Sequence, residues 1–74
     1  MTFTLTDSDR LILRELSQDG RLSNKELAVR VGLAPSTCHG RVRMLEDAGV
    51  IRGYRAVLDP QAAGAAISAL ISVA

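Results

Sequence analysis

The spacing of apolar residues along the chain predicts three short helices before residue 50. The first helix begins after Thr6, whose hydroxyl makes it a favourable N-cap. Its apolar stripe consists of Ile12, Leu13 and Leu16, which share one face at helical spacing. We expect Gly20 to end the helix by adopting the left-handed conformation that glycine allows.

The second helix has the clearest start signal of the three. Ser23 and Glu26 are three residues apart, the spacing of a capping box in which each side chain binds the other residue's amide. Leu22 and Leu27 flank this box as the two ends of a hydrophobic staple. Gly32 is expected to end the helix after about two turns, and a helix this short is stable only when it packs against its neighbours.

The third helix is predicted to begin at Pro35, because proline suits the first helical turn, where its missing N–H would have no partner. Cys38, Val42 and Leu45 share one side and are the expected buried residues. Gly49 is the expected C-terminal cap. Because only a short glycine-containing turn separates the second and third helices, the two predict a helix-turn-helix.

Two later segments are expected to be strands. Residues 50–58 are rich in β-branched side chains and predict a strand. A turn or single helical turn at Asp59-Pro60 precedes residues 65–74, whose isoleucine, leucine and valine content predicts a buried strand. The fold that these patterns predict is therefore mainly α, a three-helix helix-turn-helix domain followed by two β-strands.

The solvent-facing side of the third helix is the candidate functional surface. At about 100° per residue, Ser36, Gly40 and Arg43 lie opposite the buried side. Thr37 flanks them, and Arg41 lies between the exposed and the buried sides. Hydroxyl groups bind phosphate oxygens and arginine reads guanine edges, so this side is predicted to enter the major groove of DNA.

The charge distribution supports a DNA-binding surface only locally. The net charge is +1, yet residues 30–55 contain five arginines against two acidic residues. The alternative is an ordinary solvated face, in which Arg43 pairs with Asp47 one turn later. The segment's arginines outside the third helix fit a solvated face and a phosphate clamp equally well. Gly40 either permits close approach of the backbone to DNA or is merely tolerated there.

Composition and motifs argue against catalysis. The chain has 74 residues, of which 47% are hydrophobic and 23% charged, as in one small ordered domain. Cys38 and His39 are adjacent on a helix and point about 100° apart, so they form neither a nucleophile–base pair nor a zinc site. Cys38 is expected to pack in the core, and no catalytic, metal-binding or cofactor-binding residue is predicted.

The last part of the chain is uncharged from Pro60 onward. It is too short to span a bilayer, which requires about 20 apolar residues, so no membrane association is expected. The first residues carry neither a basic nor an apolar export region. The chain is therefore expected in the cytoplasm.

An ordered set of motifs resembles the N-terminal half of the Lrp/AsnC regulators, the leucine-responsive or feast/famine transcription factors. The motifs cover nearly the whole chain: Leu5-Thr6-Asp7, Asp9–Leu13, Asp19–Ala28, Val31–Cys38, Arg41-Val42, Leu45-Glu46, Gly49–Ile51 and Tyr54. Two positions depart from the pattern. Family members usually carry serine in place of Ala34, and many carry a larger or basic residue in place of Gly40.

The resemblance implies a transcriptional regulator that binds double-stranded DNA as a homodimer and forms higher oligomers when full length. It implies DNA contacts on the third helix and places Ser23 and Asn24 near phosphates. Together with the exposed face, it gives these candidate DNA-binding residues: Ser23, Asn24, Pro35, Ser36, Thr37, His39, Gly40, Arg41 and Arg43.

The resemblance also refines the predicted fold, which becomes a winged-helix-like three-helix domain followed by a hinge β-strand and a truncated second β-strand. It implies a division of the chain as well. Residues 1–50 would be the helix-turn-helix DNA-binding domain and residues 51–64 a hinge strand and linker. Residues 65–74 would be the first strand of a truncated effector-sensing and oligomerisation domain. No cofactor is expected in this chain, because an amino-acid effector would bind the missing C-terminal domain.

One alternative function remains open at this point. The low net charge and the uncharged apolar tail also fit a protein–protein interaction or oligomerisation module without DNA binding. Salt-sensitive binding to DNA distinguishes the regulator from the interaction module, whose association would tolerate salt.

Overall fold

The computed structural model describes residues 4–73, with side chains for residues 4–65 and Ile67. The described part of the chain contains four helices: α1 Asp7–Gln18, α2 Asn24–Val31, α3 Pro35–Asp47 and α4 Pro60–Val73. The three helices predicted before residue 50 are confirmed. None of the described helices is long and apolar enough to cross a membrane.

Helices α1, α2 and α3 pack around one small apolar core. Each helix contributes at least one fully or nearly fully buried side chain, and partly buried leucine, valine and isoleucine side chains surround them. The buried apolar residues are Ile12, Leu27, Ala28, Val31, Cys38 and Leu45. This packing stabilises α2, which at eight residues is too short to persist alone.

Two capping boxes fix where α1 and α2 begin. In α2, the Ser23 Oγ accepts from the Glu26 amide at 3.1 Å, and the Ser23 amide donates to Glu26 Oε1 at 3.0 Å. The same reciprocal pair forms at α1, where Thr6 Oγ1 accepts from the Asp9 amide at 3.1 Å and the Thr6 amide donates to Asp9 Oδ2 at 3.0 Å. The predicted box at Ser23 is confirmed, and the box at Thr6 adds to the predicted N-cap.

Gly32 caps α2, and Gly49 follows the Ala48 cap of α3, whereas no glycine caps α1. Gly32 and Gly49 have φ angles of 72° and 77°, in the left-handed region that favours glycine. The expectation for Gly20 is wrong, because Asp19 ends α1 in an extended conformation with a φ angle of −148°. The Asp19 carboxylate then accepts from the Arg21 amide at 3.0 Å, which turns the chain without a left-handed residue.

The two predicted strands are absent from the described residues. Residues 52–59 have no regular secondary structure, so the hinge strand is not confirmed. The predicted strand 65–74 is wrong for residues 65–73, which belong to α4, and Ala74 lies outside the described residues. Helix satisfies the backbone hydrogen bonds inside the segment itself, whereas a strand needs a partner strand.

The start of α4 has a local cause in the sequence. Asp59 Oδ2 accepts from the Ala62 amide at 2.9 Å, and Pro60 occupies the first helical position. Alanine, the strongest helix former, recurs through the segment. These signals outweigh the β-branched residues on which the strand prediction was based.

Candidate nucleic-acid interface

The turn between α2 and α3 sets the geometry of the candidate site. The Leu33 amide donates to the Ala28 carbonyl oxygen at 3.0 Å, which closes the end of α2 around Gly32. Ala28 is 1% exposed, and its small side chain lets the neighbouring helices approach closely. The Asn24 side chain donates from Nδ2 to the Pro35 carbonyl oxygen at 2.8 Å, so the first turns of α2 and α3 are held together.

The outer side of α3 is polar and open to solvent. All five of its candidate residues are exposed: Ser36, Thr37, His39, Gly40 and Arg43. Within the described part of the chain, none of their side chains makes a hydrogen bond or an ion pair. Their donors and acceptors are therefore available to a ligand.

Arg43 does not form the alternative ion pair with Asp47. The ion pairs among the described residues join Arg10 to Asp7, Arg30 to Glu15 and Arg41 to Asp9. Arg43 therefore presents an uncompensated positive charge on the outer side of α3. The Arg30–Glu15 pair, at 3.2 Å, instead links α2 to α1.

Arg41 points away from that outer side, toward α1. Its Nε donates to Asp9 Oδ1 at 2.8 Å, and its Nη2 donates to Asp9 Oδ2. The Asp9 side chain is completely buried, and that of Arg41 is 24% exposed. The hydrogen bonds from Arg41, opposed by burial, hold the pKa of Asp9 at about 2, below its ordinary value of 3.8.

The start of α2 carries the remaining candidates, Ser23 and Asn24. The Ser23 hydroxyl accepts in the capping box, and the Ser23 amide and hydroxyl together hold the pKa of Glu26 below its ordinary value. Ser23 is exposed, whereas Asn24 is half-buried and engaged with Pro35. Both residues have structural roles, and the DNA contact predicted for each stays a prediction.

Pro35, the first residue of α3, is exposed. It follows Ala34, whose φ of −64° and ψ of 146° are those of an N-cap but whose side chain accepts no hydrogen bond. The first amides of α3 therefore lack the side-chain cap that α1 and α2 possess.

His39 also lines a cleft beside α3. The cleft, about 270 Å³ in volume, is also lined by Asn24, Glu46 and Tyr54. The Tyr54 hydroxyl donates to Glu46 Oε2 at 2.8 Å, which ties the segment after α3 to its last turn. Burial, followed by this contact, raises the pKa of Tyr54.

Cys38 belongs to the core and not to the site. Its side chain is fully buried, and burial raises the pKa of the thiol, which keeps it protonated and unreactive. No cluster of potential metal ligands occurs within residues 4–73 to the extent that they are described. The predicted core position of Cys38 is confirmed.

The sequence interpretation missed the role of Asp9. It is the one charged side chain found buried in the described region, and it joins α1 to α3 through Arg41. A signal was present, because Asp9 stands three and seven residues before Ile12 and Leu16 and so shares the apolar stripe of α1. An acidic residue within such a stripe needs a buried partner.

A helix-turn-helix of this form defines a class of nucleic-acid-binding proteins. Residues 5–52 match the family described as winged helix-turn-helix DNA-binding, and the chain belongs to it. Curated relatives confirm the more particular resemblance to Lrp/AsnC regulators. The HTH-type transcriptional regulator AldR of Mycolicibacterium smegmatis is 55% identical over 69 residues, which cover 93% of this chain and 40% of AldR.

Two further similar proteins are also named as regulators. The leucine-responsive regulatory protein of Rhizobium meliloti is 61% identical over 56 residues, covering 76% of this chain and 36% of that protein. A crystal structure of a transcriptional regulator–L-Met complex from Neisseria meningitidis has a TM-score of 0.78 and 48% identity, covering 81% of this chain and 39% of that one. The chain thus spans about two fifths of the length of these relatives.

Proposed function

We propose that the chain is the DNA-binding part of a transcriptional regulator and that α3 reads the major groove of double-stranded DNA. The observation that carries this proposal is the outer side of α3, where exposed hydroxyls and the unpaired Arg43 stand on a helix held rigidly by α1 and α2. The match to a DNA-binding family and the regulator names of the relatives support it.

The chemistry of the outer side suits both backbone and base contacts. Ser36 and Thr37 lie in the first turn of α3, where amides without a side-chain cap and the positive end of the helix dipole favour a phosphate oxygen. Arg43 lies about two turns further along, where a guanidinium reaches either a phosphate or a guanine edge. His39 and Gly40 lie between them on the exposed surface.

The whole regulator is proposed to respond to an amino acid. The structure from Neisseria meningitidis was solved with L-Met, which supports an amino-acid effector for related regulators. We propose that the effector binds outside these 74 residues, that two copies of the regulator bind one operator, and that dimers assemble further.

A protein that acts on chromosomal DNA is proposed to work in the cytoplasm, and this role requires no catalysis.

The test is the salt dependence of DNA binding by the chain and two variants. Preferred duplexes are selected from a random pool, and affinity is measured by fluorescence anisotropy over a range of salt concentrations. If four or five phosphates are neutralised, log K should fall with log salt at a slope of about −4. Arg43→Ala should weaken binding and make the slope shallower by about 1.

Arg14→Ala is the matched control, because it removes an equal charge from an exposed arginine on α1. It should change the slope much less than Arg43→Ala. Equal effects of the two substitutions would show that binding responds only to net charge and would refute the assignment to α3.

A second function is favoured by a different observation. Val57 is fully exposed and Leu58 is 53% exposed, which suits an interaction module that associates through this segment. In that case the chain would bind another protein chain at high salt and no duplex from the pool. Salt-sensitive selection of a DNA sequence would exclude this alternative as the main function.

A further inference from the structure

The Asp9 carboxylate connects the start of α1 to α3. Its Oδ2 accepts from the Thr6 amide at 3.0 Å, which completes the capping box of α1. The same oxygen also accepts from the Nη2 of Arg41 on α3, and the other carboxylate oxygen, Oδ1, accepts from the Nε of Arg41. One buried carboxylate thus fixes both the start of α1 and the position of a side chain on the candidate recognition helix.

Each of the three guanidinium nitrogens of Arg41 has a partner within the protein. Two of its nitrogens bind Asp9, and the third, Nη1, donates to the Met44 sulfur at 3.4 Å. Its charge is compensated by a carboxylate with no exposed surface. Arg43, two residues later, has neither a carboxylate partner nor a hydrogen bond in the described region.

Two arginines on α3 therefore differ in their contacts: Arg41 is bound to Asp9, whereas Arg43 is exposed and makes no ion pair among the described residues. We propose that Asp9 is a positioning residue for DNA recognition: it withholds Arg41 from the nucleic acid and fixes the rotation of α3, so that Arg43 is the arginine of this helix that contacts DNA. This inference rests on the proposed function and replaces the DNA contact predicted for Arg41.

The rotation argument follows from helix geometry. Residues 41 and 43 are separated by about 200° around the helix axis, so anchoring Arg41 against α1 directs Arg43 to the opposite side. A bidentate arginine–carboxylate contact is directional, so it adds geometric specificity to the apolar packing that orients α3. Asp9 thereby acts on recognition from the far side of the helix, without contacting the DNA.

The decisive variant is the double substitution Asp9→Asn with Arg41→Gln. It removes one negative and one positive charge, so the net charge of +1 is retained. The asparagine carbonyl oxygen is placed to accept from the Thr6 amide, and the two amides are able to bind each other. The slope of log K against log salt is measured for this variant, the wild type and Arg43→Ala on the same selected duplex.

The double variant should keep the wild-type slope, because the amide pair still holds residue 41 against α1 and because an arginine held by Asp9 releases no counterion from DNA. Arg43→Ala should make the slope shallower by about 1. A loss of about one unit of slope in the double variant would overturn the inference while leaving the proposed function intact. If the wild type binds no duplex in a salt-dependent manner, the proposed function itself fails.

A single substitution provides the complementary test, because it frees Arg41 to contact DNA. Asp9→Asn releases the guanidinium, so it should make the slope steeper by up to about 1 and reduce the preference for the selected duplex over a scrambled one. Asp7→Asn is the control, since its carboxylate on the same turn is 99% exposed. Equal slopes for the two single variants, with circular dichroism showing both folded, would contradict the inference.

The wild-type protein provides a readout if the variants do not fold. Arginine Nε–H resonances are followed by NMR during titration with the selected duplex. The Arg41 resonance should stay protected from solvent exchange and shift little, while that of Arg43 shifts. Loss of protection at Arg41 upon DNA binding would show that the pair opens to contact DNA, which contradicts the proposal.

Discussion

At the scale of single residues, Asp9 separates what a local pattern indicates from what packing decides. A local pattern places it in the first turn of α1, where an acidic residue favours the helix dipole. Packing buries it against Arg41, which comes 32 positions later in the chain. The exposure of Arg41 could not be read from its angular position, because that position lies between the buried and the exposed sides.

The Asp9–Arg41 pair predicts how stability depends on pH. The folded-state pKa of Asp9 is lowered from 3.8 to about 2, so its stabilisation is complete above the unfolded value and is lost as pH falls from about 4 to about 2. A shift of this size corresponds to about 2 kcal/mol. Urea unfolding followed by circular dichroism between pH 7 and pH 2 measures it.

Asp9→Asn should unfold at lower urea concentrations than the wild type at pH 7 and should lose less stability on acidification. Asp7→Asn should retain the wild-type pH dependence, because the Asp7 side chain is almost completely exposed. An unchanged pH dependence in Asp9→Asn would mean that another group controls acid unfolding.

At the scale of helices, each start has a signal in the sequence, but α3, unlike α1 and α2, lacks a side-chain cap. The capping box at Ser23 and the N-cap at Thr6 are evident in the sequence, and both form in the structure. Helix α3 begins at Pro35 without a side-chain cap, held instead by packing and by the Asn24 contact to the Pro35 carbonyl oxygen. Its first turn is therefore the least secured of the three helix starts in the DNA-binding unit.

Restoring a cap should stabilise α3. Ala34 already has the extended N-cap conformation, so Ala34→Ser places a hydroxyl where it accepts from the first-turn amides. The expected gain in the free energy of unfolding is about 1 kcal/mol, measured by urea unfolding at pH 7. Ser23→Ala, which removes the corresponding cap of α2, should cost about the same amount.

The two substitutions should therefore move the unfolding midpoint in opposite directions. If Ala34→Ser leaves the midpoint unchanged while Ser23→Ala lowers it, the first turn of α3 gains nothing from a cap because its amides already have other partners. The Ala34→Ser variant also tests whether phosphate binding depends on the first-turn amides of α3, since a serine cap would compete with DNA for these amides.

At the scale of the whole molecule, the segment after α3 and helix α4 differ from the packed unit. Helices α1–α3 contact one another, while α4 makes no packing contact with them in the described residues. Tyr54 and Leu58 are each about half exposed, and Val57 is fully exposed. An apolar segment of this kind favours association with a second copy of the chain.

The chain should therefore be a dimer in solution. Light scattering coupled to size-exclusion chromatography at high micromolar concentration measures its mass, and Val57→Glu should shift the protein toward monomer by placing a charge in the contact. Val29→Glu is the control, because Val29 is also largely exposed but lies on α2. A wild-type monomer under these conditions would contradict the dimer.

The sequence by itself determined the three helices, their caps at Ser23 and Gly32, and the polar outer side of α3. These features follow from contacts between residues within one or two turns of each other. Only the tertiary structure decided that Arg41 turns inward to Asp9 while Arg43 stays free, because that choice depends on how α1 packs against α3. Residues 60–73 form a helix for a local reason: β pairing requires a partner strand, which the described residues do not supply, whereas a helix satisfies its own backbone.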